Sequence, residues 1–479
     1  AWAGFFDELE ADLEFQFGKP EVDLDLARRL SDLGPVALAL GLDSVVTTPK
    51  KNLTEMLHVL SESKDPEERA AALHVVNKGL GGSFAKYAAE TLYMVAGAKA
   101  VERRERGYLH PMQGRNMSNR VPDKVVDALH DAVTHVSAPL AQRYYKLKAA
   151  HLGMKTLRWS DRNASMPFED SSTVAFDDGM KLVLDAYESF SPKLAELISE
   201  TAARKHIDAP AQKGKRGGAF NASGVLPGGV PVSYTFLNYL GSGRDVMTLA
   251  HELGHGVHGL LAGEAQGPLM GNAPIAYAET ASVFGEMVTF SFLKRRLEAK
   301  GDVKSLLALT MSKIDDVINT SVRQISFSNF ERRLHGMDET YASWGEPRKH
   351  SADELSQNWR RVTEELYGPE GAVFTYADTD RLWAYIGHFH QPFYVYGYAF
   401  GDLFTTALYA RREALGAKFE PLYLDLLRAG GTKDASALLE PFGLDPTKQS
   451  FWADGINAGL GALVADAERL SAEIGISTQ

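Results

Sequence analysis

Cysteine is absent from all 479 residues. That excludes disulfides, thiolate metal ligands and a cysteine nucleophile. It is compatible with a reducing cytosol, and a cytoplasmic location is expected. Positive charge is in deficit: 51 Lys and Arg stand against 62 Asp and Glu, a net charge of −11. Binding phosphates needs a surplus of Lys and Arg on one surface, so nucleic acid is not expected as a partner. Zinc-finger spacings and a phosphate loop of the G-x-x-x-x-G-K form are missing too. Long apolar runs are lacking. Leu249 to Leu261 is interrupted by His251, Glu252, His255 and His258. No run approaches the ~18 residues of a membrane span, so no membrane partner is expected. The start, Ala1-Trp2-Ala3-Gly4, has neither the basic lead nor the apolar core of a signal peptide. It also lacks an initiator methionine, as a processed start would.

What is present suits a globular protein: 44% hydrophobic and 24% charged residues. At ~150 residues per domain, the length suggests two to three domains or one large two-lobed one. Most of the chain carries helical periodicity. Leu53 to Lys78 reads as two helices split by Pro66. Val121-Pro122-Asp123 reads as a helix start, with Pro139 limiting the helix. Met180 to Ala203, Val303 to Arg333, Ala352 to Leu366, Phe400 to Leu415 and Ala458 to Ile474 read alike. One region differs. A glycine-rich turn, Gly214 to Ala219, leads into Phe220-Asn221-Ala222, a loop at Gly224 to Gly229, and the alternating Val230 to Phe236. This reads as two short strands. Gly263 to Pro274 reads as a loop.

His251-Glu252-Leu253-Gly254-His255 is an H-E-x-x-H motif. By multiplied frequencies it should arise by chance in only about 0.03 of such chains, so a surface helix with ordinary polar residues is the weaker reading. Residues four apart share a helix face, so both imidazoles can reach one metal while the glutamate sits beside its open position. Zinc at such a site acidifies water, and Glu252 can take the proton as that water attacks a carbonyl. A catalytic zinc needs a third protein ligand. His258 lies ~10 Å along the helix from His251, too far for both to bond one ion. It reads instead as a packed polar residue or as support for a ligand. Leu261 stands where the third histidine of a longer pattern would be, and Glu264 lies too close in sequence. Glu279, on a following helix, is the best third ligand. Glu286, seven residues later on the same face, reads either as a hydrogen-bond partner of a ligand histidine or as a solvated glutamate.

With these residues in place, the chain resembles the thimet oligopeptidase and oligoendopeptidase F family of zinc metallopeptidases, closest to the oligoendopeptidase F branch. The match is strongest from Arg244 through His258, with Ala278-Glu279-Thr280-Ala281-Ser282 at the expected distance. Arg115 to Arg120, Gly214 to Phe220 and Tyr385 to Tyr398 match further, so the landmarks span residues 115 to 398. The resemblance implies a mainly α, zincin-like fold: two helical lobes enclosing a deep channel, with a small β-sheet next to the H-E-x-x-H helix. Residues 1–205 would form an N-terminal helical lobe. Residues 206–479 would form the catalytic domain, with the sheet at about 214–240. It implies a gluzincin-type site with one Zn2+ per chain, and short oligopeptides as substrates. Members of this branch usually carry further N-terminal helices, so the chain is either a natural short form or lacks part of that lobe.

Peptide hydrolysis passes through an oxyanion, and donors placed where its charge develops matter most. Family members use a histidine and tyrosines from a segment like Gly387 to Tyr398. The resemblance carries those roles to His388 and Tyr398, with His390, Tyr394 and Tyr396 as possible substitutes. The competing reading is an aromatic cluster buried as core. The strand around Ser233, or its partner at Ala219 to Ala222, could pair with substrate backbone if its edge is exposed; the alternative is a structural hairpin. A zinc carboxypeptidase is less apt, because its His-Glu-Ser-Gln signature is missing near the third ligand. A non-catalytic peptide-binding protein would not need the full set of chemical groups found here.

Overall fold

The computed structural model describes residues 2–19, 21–22, 46–166, 168, 173–212, 214–338 and 341–477. It is mainly helical. The helices form where caps and periodicity predict. Asn52 opens Leu53–Glu62 with a capping box: its side chain accepts from the Glu55 amide, and Glu55 accepts from its own. Asp65 and Pro66 open Pro66–Gly79. Pro122 is the N-cap of Asp123–Ala132 rather than its first helical residue. Pro139 does not end that helical path. A π-helical turn, Val133–Ser137, opens the ladder where the proline lacks its N–H, and helix resumes as Ala138–His151. Met180 to Ala203 is two helices, Phe176–Glu188 and Pro192–Ala203, the second opened by Ser191 capping the Leu194 amide.

The elements that frame the site are labelled in chain order. Strands β1 (Ile207–Pro210), β2 (Phe220–Leu226) and β3 (Val230–Tyr239) form one sheet of order β1-β3-β2. The β2–β3 hairpin is antiparallel, and β1 joins β3 in parallel. β1 carries too little alternation to be read from sequence. Lys215 ties it in place, donating to the carbonyls of Asp208, Pro210 and Leu237. Helix α1 (Gly243–Met270) follows, with α2 (Thr280–Lys300), α3 (Val303–Thr320), α4 (Val322–Leu334) and α5 (Tyr396–Ala410). The expected loop from Gly263 is helical as far as Met270, interrupted at Gly267, whose φ is 67°. Gly263 packs on Val225 of β2, where a Cβ would meet it at 3.0 Å, and glycines earlier in α1 pack on the sheet likewise. Ideal Cβ atoms at Gly256 and Gly259 would sit 2.9 Å from Ser233 Oγ and 2.2 Å from Ser223 Cβ. Bare backbone therefore lets α1 lie directly on the sheet.

Two apolar clusters hold the chain together. The larger joins Tyr144, Val183 and Ile198 to Leu249, Leu253 and Val257 of α1. The other packs Phe6, Phe84 and Leu92 against Phe327, Trp359, Trp383 and Phe389. Packing therefore does not divide at residue 205. Residues 112–198 share the core of the metal-motif helix, and residues 6–96 share theirs with 327–395. Helix α4 serves both, with Ile325 in one cluster and Phe330 in the other. Among the described residues no helix is long and apolar enough to cross a membrane.

Candidate metal centre

Helix α1 starts from a second capping box. The Ser242 hydroxyl accepts from the Asp245 amide at 3.1 Å, and Asp245 accepts from the Ser242 amide at 2.9 Å. Two turns on, His251 and His255 project from one face, ring centroids 4.8 Å apart. Helix α2 crosses at Gly254, where a Cβ would meet the Ala281 carbonyl at 2.4 Å. This contact brings Glu279, at the start of α2, under both imidazoles. Its Oε2 lies 3.3 Å from His251 Nε2 and 3.2 Å from His255 Nε2. Donors at ~2.1 Å from one tetrahedral ion stand about 3.4 Å apart, so the spacing fits zinc. All three donor atoms fall within 4.8 Å of one another, and no other such trio occurs among the described residues.

The surrounding residues hold this geometry. His251 Nδ1 bonds Glu286 Oε1 at 2.7 Å, fixing the ring so that Nε2 faces Glu279. Glu286 is therefore a hydrogen-bond partner of His251 rather than a solvated glutamate. The Lys313 ammonium of α3 donates to the other Glu286 oxygen at 2.7 Å. Burial opposes charge on Glu286, but Lys313 and His251 outweigh it and hold its carboxyl at about 2. Burial likewise pushes His251 down, and hydrogen bonds to Glu279 and Glu286 overcome it, holding the imidazole at about 10. Ser282 Oγ donates to Glu279 Oε2 at 2.7 Å. His258 is buried and no ligand: burial and the His255 charge lower it to about 4, and it hydrogen-bonds the backbone of Ala278 beside Glu279. Lys313 escapes a sequence reading because it sits on a remote helix. Ser282, one turn after Glu279, was within reach of the i,i+3 rule.

Glu252 is 6% exposed, and its Oε2 has no hydrogen-bond partner. Burial raises its proton affinity, and the two histidines oppose that. This carboxylate oxygen shares its cleft with two imidazoles and a second carboxylate, and it is free to accept a hydrogen bond. The cleft is also lined by Ala219 and by Phe220 to Ser223 of β2, the sheet's edge strand. Ser233 is not at that edge. It lies buried on central β3, its hydroxyl exchanging hydrogen bonds with Asn221. Of the two strands considered for substrate pairing, β2 is the available one.

The facing segment comes from the 3-10 turn Gly387–His390 and the first turn of α5. Tyr398 OH and His388 Nε2 stand 3.4 Å apart, with Tyr394 edge-on to Tyr398. Gly401, one turn after Tyr398, packs on Glu279, and the Glu279 charge helps raise the Tyr398 pKa after burial and Tyr394 have done so. Burial and the Arg323 charge lower the His388 pKa, favouring a neutral ring. Tyr396 is not available as a substitute. Its hydroxyl donates to Asn116 Oδ1 and accepts from Asn119 Nδ2, both at 2.8 Å. His390 faces away, its ring 4.5 Å from Phe6 in the other core. The Arg115 to Arg120 landmark thus braces this segment: Arg115 also donates to the Pro392 carbonyl.

Residues 59–458 match peptidase family M3. The chain belongs to that family. Peptidase family M3 relatives include an oligoendopeptidase F homolog of Lactococcus lactis, 28% identical over 390 residues, 81% of this chain and 61% of that protein. The oligopeptidase PepF of Bacillus subtilis is 27% identical over 388 residues, 81% of this chain and 55% of its own length. The chain spans less than two thirds of the length of these relatives. Its fold is similar to that of oligoendopeptidase F from Enterococcus faecium, with a TM-score of 0.69 at 20% identity over 99% of this chain and 71% of that one. It is also similar to PZ peptidase A, with a TM-score of 0.70 at 16% identity over 97% and 76%.

Proposed function

We propose that this M3 chain is a zinc-dependent endopeptidase that hydrolyses internal bonds of short oligopeptides. His251, His255 and Glu279 would hold one Zn2+, with Glu252 as general base. The observation that carries the reading is the unpartnered, buried Glu252 oxygen beside three donors at tetrahedral spacing. The relatives named oligoendopeptidase F and oligopeptidase support the substrate class.

When bound, the metal supplies Lewis acidity, polarising a carbonyl and lowering the pKa of a water. Glu252 accepts the proton of the attacking water and returns it to the leaving amine. A carboxyl whose proton affinity is raised by burial suits that double task. Tyr398 donates to the oxyanion, and the neutral ring of His388 supports it. The β2 edge offers N–H and C=O groups to an extended peptide, which gives affinity with little side-chain preference.

The test is digestion of a mixed library of short peptides, read by mass spectrometry with and without a chelator. Chelator-sensitive internal cuts in peptides, and none in a folded protein, are expected. Stepwise release of single C-terminal residues would replace the endopeptidase with a carboxypeptidase. No cleavage by zinc-loaded protein would refute the reading.

A further inference from the structure

A cavity of about 650 Å3 lies on the seam between the two apolar clusters. His388 lines it, so it adjoins the facing segment. Two arginines line it and no aspartate or glutamate does, in a chain with a net charge of −11. Arg162 is 6% exposed; it donates to Asn319 Oδ1 at 2.6 Å and lies over the Trp159 ring. Arg323 lies over the Phe327 ring, 5.0 Å from its centroid. Neither makes an ion pair among the described residues. The acid adjacent to Arg162 in sequence, Asp161, is committed elsewhere: one oxygen accepts from Arg69 and the other from Arg158. Ser160 Oγ, on a side chain more than nine-tenths buried, also borders the cavity without a partner.

Two neighbouring guanidiniums withdrawn from water without a counter-charge are costly, and the cost is relieved by an anion between them. Burial and the Arg162 charge both lower the proton affinity of Arg323. Planar forks select carboxylates, which they can grip through two hydrogen bonds. Apolar side chains, Leu57, Leu60, Trp359 and Ile386 among them, share the wall with neutral polar ones such as Asn163 and Gln324. A cavity that pairs cations with an apolar wall suits a residue carrying a carboxylate and a bulky side chain on one carbon.

We propose that this cavity binds the free C-terminal carboxylate of the peptide through Arg323 and Arg162, with the terminal side chain against the apolar wall. The proposal rests on the peptidase reading for its ligand. It makes chain end, rather than internal sequence, a determinant of which short peptides are taken.

The test compares peptides of one sequence ending in Leu as the free acid and as the C-terminal amide, and amides carrying a Glu side chain. Kinetics on the zinc-loaded protein are expected to give the free acid an advantage of about 10- to 100-fold in KM. Arg323→Gln should abolish that difference and Arg323→Lys restore part of it. The same pairs are titrated by calorimetry into zinc-loaded Glu252→Gln protein, which reports binding without turnover. Equal affinity for acid and amide would overturn the proposal. A preference that follows the Glu side chain instead of the terminus would overturn the terminal assignment. Acid-selective binding with no cleavage of any peptide by the unsubstituted protein would sink the peptidase reading and leave the carboxylate site standing.

Discussion

The two faces of the cleft are built by different means. The histidine face is written on helices: His251 and His255 four residues apart on α1, with Glu279 capping α2 and Glu286 seven residues further along it. Short hydrogen bonds hold His251 to Glu286 and Glu279 to Ser282, both at 2.7 Å. The opposite face is a run of 3-10 turns whose shape depends on remote residues. Phe393 adopts a φ of 59°, and its amide donates to Glu331 Oε1 of α4 at 2.9 Å. Tyr396 is pinned by Asn116 and Asn119, about 280 positions away in sequence. Periodic structure lets spacing specify chemistry. An irregular segment leaves the choice among its side chains to the partners that buy its conformation.

Substitutions on the histidine face should therefore act on chemistry, and those on the facing segment should divide between chemistry and stability. The largest effect is expected from His255→Ala, which should lose both zinc and activity; stoichiometric zinc by atomic absorption in that variant would remove it as a ligand. Glu252→Gln should retain zinc and lose about 10^2- to 10^4-fold in kcat. On the other face, Tyr398→Phe should lower kcat by about 10^2 to 10^3 with KM little changed, as for an oxyanion donor. Tyr396→Phe, two positions away, should spare kcat and lower stability by about 1–3 kcal/mol, because two buried asparagines lose their partner. Denaturant titration beside steady-state kinetics separates the pair, and the reverse pattern would exchange their roles. Lys313→Met should weaken zinc about 10- to 100-fold by freeing Glu286, measured by competition with a chelator.

The smallest effect is one of pH. Burial raises the Glu331 carboxyl to about 8, with the Phe393 amide and Arg115 opposing. The native state thus holds a proton that the unfolded chain releases near its ordinary value of ~4.3. Stability from this group is complete below that value and declines as pH rises toward 8. Glu331→Gln should flatten the decline between pH 5 and 8 in a series of thermal midpoints. An unchanged slope would place the proton elsewhere.

The same contrast explains what could be read in advance. His251, Glu252 and His255 could be placed together because helical period converts spacing into direction, whereas Glu279, on another element, was selected only by setting aside His258 and Glu264. The hairpin was legible from alternation, whereas β1 is only four residues long and is fixed by Lys215 from a loop. Gly263 to Met270 was misread because glycine signals breaks as readily as close contact, and only the sheet beneath α1 distinguishes them. Tyr394, Tyr396 and Tyr398 are alike in sequence. That Tyr396 is the one withdrawn into hydrogen bonds is decided by Asn116 and Asn119, which no local pattern connects to them.

The glycines of α1 have one further consequence. Where helix backbone rests on the short side chains of Asn221, Ser223 and Ser233, little can be trimmed to change the gap, so the proposed metal site and the β2 edge keep a fixed separation. Any larger residue at Gly256 or Gly259 would push the two apart and detune catalysis before it altered preference. Adaptation to new peptides would therefore proceed from the other wall, at side chains such as Tyr394 and Arg323, with His388 and Tyr398 kept in place. The molecule behaves as a vice with one immovable jaw.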